Sequence, residues 1–132
     1  MSVSQRGPAI LHPAFERLDE LSRLERDWDT YGALPLASTA LDVAEAIMRK
    51  VVKAFDKALG QCVAPYTIMP IADGGVSIEW RGAGAELELD IGPSGALSYL
   101  LIEHTDEGRR FEEGSGLSER QALDLVRRVI GG

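Results

Sequence analysis

Cysteine is almost absent from this chain. Cys62 is the only one in 132 residues, so no intrachain disulfide can form. A reducing compartment fits that usage. Nothing approaches the ~18 apolar residues of a membrane span, and the opening MSVSQRGPAILHP has no apolar core of signal-peptide length. Together these absences lead to the expectation of a cytoplasmic protein with no membrane partner. Bases are scarce too: 14 Lys and Arg stand against 21 Asp and Glu, for a net charge of −7. Nucleic-acid binders carry a basic footprint, so direct nucleic-acid binding is not expected. There are only two histidines, His12 and His104. No nucleophile motif, phosphate-binding loop or metal-ligand spacing occurs, so no catalytic residue, metal or cofactor is assigned. Gly82 and Gly84 form a G-x-G that joins two strands and lacks the rest of the dinucleotide fingerprint. Cys62 has no basic neighbour to activate it and reads as packing. Gly131-Gly132 closes directly behind a helical pattern and reads as its stop rather than as a conjugation tail.

What remains is the composition of one ordinary globular domain, 45% hydrophobic and 27% charged. Residues 1–12 read as a flexible arm and residues 13–132 as a single α+β domain. From Pro13, Phe15, Leu18, Leu21, Leu24 and Trp28 recur at steps of three and four, predicting a first helix that reaches Trp28. Ser38 or Thr39 caps a second helix, whose stripe runs from Leu41 to Leu59 and stops at Gly60. Beyond Pro65 the period changes to two. Strands are predicted at Tyr66–Ala72, Val76–Arg81, Glu86–Ile91 and Ala96–Glu103, with a short fifth at Arg109–Glu113. Pro70 marks the first as an edge strand. The fourth is apolar on both faces, which predicts a central strand or one covered on both sides. Ser118 and Gln121 form a capping box for a final helix. The expected architecture is a four- to five-stranded antiparallel meander, with two N-terminal helices and one C-terminal helix packed on it. A sheet with helices on both faces is the alternative.

Between the first two helical runs lies DWDTYGALP, residues 27–35. Acids at a helix C-terminus oppose its dipole. Asp29 has a turn role, accepting backbone N–H groups. Asp27 has no evident one, which makes Asp27, Trp28, Asp29 and Tyr31 candidates for holding a basic partner. The segment WDTYGALP at 28–35, followed by DGGVSIEW at 73–80 and an acidic alternating strand, resembles a set of small, uncharacterised bacterial proteins. The resemblance covers roughly residues 18–103, and the two motifs together are more specific than either alone. It implies a shared fold and carries no activity, substrate or catalytic residue.

Placing Val76, Ile78 and Trp80 on the same face as Ile91, Leu89 and Leu87 sets a register across the loop 82–85. Arg81 then meets Glu86, Glu79 meets Glu88, and Ser77 meets Asp90. Like charges directly opposite are destabilising. Glu79, Glu86, Glu88 and Asp90 therefore gather on the outer face around one arginine, unless Arg109 or Arg110 relieves them. The leading expectation is a non-enzymatic interaction module of the antitoxin, immunity or inhibitor type, binding a basic partner protein through this face, with a homodimer allowed. The alternatives are a small carboxylate- or metal-dependent enzyme and a self-assembling structural subunit.

Overall fold

A computed structural model describes residues 12–59 and 64–131, with side chains described for 13–54 and 64–131. Three helices and five strands follow in the order α1 (His12–Ser22), α2 (Ser38–Leu59), β1 (Thr67–Pro70), β2 (Val76–Arg81), β3 (Ala85–Ile91), β4 (Leu97–Thr105), β5 (Gly108–Ser115) and α3 (Glu119–Ile130). The strands form one antiparallel meander, β1-β2-β3-β4-β5. The α+β architecture expected from periodicity is the one observed. Of the arm expected at 1–12, residues 1–11 lie outside the described residues, as do Gly60, Cys62 and Gly132, and His12 is the first residue of α1.

One face of the sheet is dry. Val76, Ile78, Trp80, Leu87, Leu89, Ile91 and Leu101 are fully buried, alternating with residues that are not. Helices α2 and α3 lie across β2 and β3, and α1 lies beside β1 and α2. Phe15, Leu18 and Leu21 of α1, Ile47, Met48 and Val51 of α2, and Val126 and Val129 of α3 complete the core. Among the described residues the helices pack on one face only, not on both as in the alternative. β4 is an interior strand rather than an edge, but Leu100 and Ile102 on its other face stay only partly buried, with none of the described helices over them.

Helix α1 is shorter than its spacing predicts. Arg23 and Leu24 N–H donate to the carbonyls of Glu20 and Leu21, three residues back, and the Ser22 hydroxyl donates to the Asp19 carbonyl at 2.6 Å. This tightened turn ends the helix. Leu24 packs against the core from outside it, and Trp28 belongs to the connector. Helix α2 begins at Ser38, with the Ala37 carbonyl accepting the first bond from Leu41 N–H at 3.1 Å, so Ala37 holds the cap position expected of Ser38 or Thr39. The Glu45–Arg49 pair forms at 3.2 Å, and Lys50 bonds Glu119 to tie α2 to α3. The capping box of α3 forms as the sequence predicts. Ser118 Oγ accepts from Gln121 N–H at 3.1 Å, and Gln121 Oε1 accepts from Ser118 N–H at 2.8 Å. β5 is longer than expected and exposed along almost its whole length. Among the described residues, no helix is long and apolar enough to cross a membrane.

Candidate functional site

The two sequence segments that were singled out meet in space. Leu34 N–H donates to the Ala72 carbonyl at 2.8 Å, and Ala37 N–H donates to the Gly74 carbonyl at 2.8 Å. Gly74 takes a φ of +96°, and a Cβ there would stand 3.1 Å from the Pro35 carbonyl oxygen. The DGG turn and the YGALP connector are therefore halves of one structural seam.

Both connector acids serve that seam. Asp29 Oδ1 accepts from the N–H groups of Tyr31 at 2.8 Å and Ala33 at 3.0 Å. Asp27 also has a structural part that its sequence position did not reveal. It sits at φ 68°, its carboxylate accepts from Gly32 N–H at 2.6 Å, and its own N–H donates to the Ala33 carbonyl at 2.7 Å. Aspartate tolerates the left-handed region better than most residues. With the helix ended at Ser22, the acids no longer oppose a helix dipole. Trp28 donates its indole N–H to the Leu34 carbonyl at 2.8 Å. Only Tyr31 stands clear, 89% exposed. Replacing Asp29 by Ala is expected to lower stability by about 1–2 kcal/mol in urea unfolding, since two N–H groups lose their acceptor. A loss below a few tenths would show that the seam holds without it.

The four sheet acids fall together as the register predicts. Arg81 faces Glu86, Glu79 faces Glu88, and Ser77 faces Asp90. Glu79 turns its backbone toward β1, its carbonyl accepting from Tyr66 N–H at 2.6 Å. Glu79 and Glu88 thus form a pair without mutual backbone bonds, in which side chains lie closest. Relief comes from within β2 and from β4. Arg81 bonds both Glu79 and Glu86, the latter at 3.2 Å, and its guanidinium lies 3.7 Å from the centre of the Tyr66 ring. His104 approaches Glu86 at 3.4 Å. Arg109 faces His104 on this outer side, whereas Arg110 faces Glu103 on the inner side, and neither pairs with the four acids.

Relief does not extend to Glu88 and Asp90. Partial burial pushes the Glu88 carboxyl above its ordinary range, reinforced by the charge of Asp90, a shared hydrogen bond with it, and the charge of Glu79. Asp90 Oδ1 is shielded from solvent and has no hydrogen-bond partner among the described residues. Register places Leu100 beside Glu88 and Ser98 beside Asp90, with Glu113 beyond Leu100 on β5. These residues line one shallow depression. Its floor is part apolar and its rim carries three carboxylates.

A second polar cluster occupies the inner end of the β4–β5 hairpin. The Tyr99 hydroxyl donates to Glu112 Oε2 at 2.8 Å, and Arg128 of α3 reaches Glu112 at 3.4 Å and Glu103 at 3.6 Å. The bond from Tyr99 holds the Glu112 carboxyl below its usual range, aided by Arg128 and Arg110. Sequence periodicity did not disclose this cluster, because its four residues come from three elements. Among the described residues, no group of three or more His, Cys, Asp or Glu is arranged to hold a metal ion. No family model, curated protein or solved structure matches the chain.

Proposed function

We propose that the chain is a non-enzymatic protein-interaction module that docks a basic partner on the outer face of its sheet. An antitoxin, immunity or inhibitor type of role in the cytoplasm fits a small acidic module of this kind. The observation that carries the reading is the depression at Glu88, Asp90 and Glu113. It holds a shielded carboxylate oxygen with no hydrogen-bond partner among the described residues, between acids that repel one another. A lysine or arginine side chain supplies what is missing. Its aliphatic stem lies on Leu100 while its charged head reaches the rim. Tyr31 is the remaining candidate on the connector, since Asp27 and Asp29 hold the seam with Ala72 and Gly74.

The reading fixes a sign for pH. A raised carboxyl pKa means that the folded chain holds this proton more tightly than the unfolded chain. Glu88 therefore favours folding below the ordinary carboxylate range, and that contribution is lost as pH rises through its raised value. A bound cation favours the ionised form, so binding releases the proton and tightens as pH rises.

A short peptide alternating Lys and Leu is the first probe, followed by fluorescence anisotropy at low salt. Affinity is expected to rise as pH is raised from the ordinary carboxylate range toward neutrality. It is also expected to fall by roughly tenfold in the double variant Glu88→Gln, Asp90→Asn. Glu16→Gln, exposed on α1, is the control and changes little. Equal binding by the double variant and the native chain would sink the docking face. A pull-down at low and high salt with the same variants then identifies the cellular partner.

A further inference from the structure

The two edges of the sheet are built differently. β1 is four residues long and contains Pro70, two features that blunt an edge against further pairing. β5 is eight residues, GRRFEEGS, with no proline and no lysine, and among the described residues it has a neighbour strand on one side only. Phe111 at its centre is 62% exposed. Among the described residues, Arg109, Arg110 and Glu113 form no ion pair within the chain.

Parity decides which backbone groups of β5 point outward. His104 N–H donates to the Gly84 carbonyl, so its backbone faces β3, and its neighbours Glu103 and Thr105 face β5. Their partners Arg110 and Gly108 therefore turn their backbone inward. Arg109, Phe111, Glu113 and Ser115 turn theirs to the open edge.

We propose that β5 pairs antiparallel with β5 of a second copy of this chain, about a two-fold axis at Phe111. In this register Phe111 faces Phe111 of the second copy, and both residues present backbone groups to the seam. Arg109 then faces Glu113 across the axis on the outer side, and Arg110 faces Glu112 on the inner side. Symmetry repeats both pairs, so four opposite-charge pairs form. The charge order R-R-F-E-E is thus self-complementary in this register. Shifting to either neighbouring register that keeps the backbone groups aligned sets Arg110 against itself or Glu112 against itself on the axis. Like charges directly opposite disfavour both shifts. Ile102 lies beside Phe111 on the outer face, so the apolar strip continues from one copy into the next. The product is a closed, isologous pair with one continuous ten-stranded sheet. It does not depend on the basic-partner reading.

The test is a charge exchange followed by sedimentation velocity. The native chain is expected to shift from its own mass to twice that mass between roughly 1 and 500 µM, as suits a small interface. Arg109→Glu alone and Glu113→Arg alone each place like charges opposite in both symmetry-related pairs. Each is expected to weaken association by at least about tenfold. An equimolar mixture of the two variants restores opposite charges at both pairs and is expected to recover the double mass. Circular dichroism checks that each variant is folded. A native chain that keeps its own mass throughout overturns the proposal. So do reversals that leave association unchanged, or a mixture that fails to recover it. Glu113 also rims the depression, whereas Arg109 does not. Loss of dimer in Arg109→Glu with undiminished binding of the Lys-Leu peptide therefore separates this interface from the docking face.

Discussion

Replacing Trp80 by Ala is expected to be the most damaging single change in the sheet, at about 3–5 kcal/mol. Trp80 is fully buried at the centre of the dry face, opposite Leu87, with α3 packed on β2 and β3. Truncation removes a large apolar surface and leaves a cavity bounded by strands that cannot close on it without losing their ladders. A domain of this size has a stability of roughly 5–15 kcal/mol, so the variant approaches the unfolding threshold. Urea unfolding followed by far-UV circular dichroism measures the loss and avoids the fluorescence of the residue being removed. Trp80→Phe is expected to retain well over half of the lost stability. A loss under about 1 kcal/mol for Trp80→Ala would show that Trp80 is not the centre of the core.

Gly82→Ala is expected to be nearly as severe, for a different reason. A Cβ at residue 82 would stand 1.9 Å from the Val129 carbonyl oxygen, in the last turn of α3. That oxygen belongs to backbone, so a rotamer change cannot make room. α3 must lift away from the β2–β3 turn, and its buried face, Leu125, Val126 and Val129, lifts with it. The expected loss is about 2–3 kcal/mol. Gly84, two residues along the same turn, has open space around it, so Gly84→Ala serves as an internal control and is expected to change stability little. Comparable losses from the two substitutions would refute the close approach of Val129. The G-x-G that carries no nucleotide fingerprint is therefore half structural necessity and half turn.

Some of this was legible in sequence because the physics is local. The β2–β3 register follows from alternation on both sides of a short turn, and Trp80 opposite Leu87 and Glu79 opposite Glu88 were both readable. The Ser118–Gln121 box lies within one helical turn. The length of α1 was not readable, because Leu24 and Trp28 happen to keep helical spacing past the point where Ser22 bonds back to Asp19. Asp27 showed no purpose in one dimension, since the N–H it accepts belongs to Gly32 in a turn that only closes when Leu34 meets Ala72. The acids of the candidate face were identified residue by residue. The third rim acid, Glu113, was not, because alternation alone set no register between β4 and β5 to bring it beside Leu100.

The meander also bears on how the chain reaches its folded state. Successive strands are sequence neighbours throughout, and two of the turns are only two or three residues long, Gly82-Ala83-Gly84 and Asp106-Glu107. Closing such short loops involves little chain entropy, so β2–β3 and β4–β5 can zip early. The helices depend on remote partners. α1 and α2 must return to strands that follow them. The expected order is hairpins first and docking of the helical layer last, which φ-values at Trp80 and Val126 would check. Early in folding, the face that ends in the dry core is as open as the acidic one. The charges of Glu79, Glu86, Glu88 and Asp90, unfavourable to one another in the finished sheet, then act against association of half-made molecules through that face.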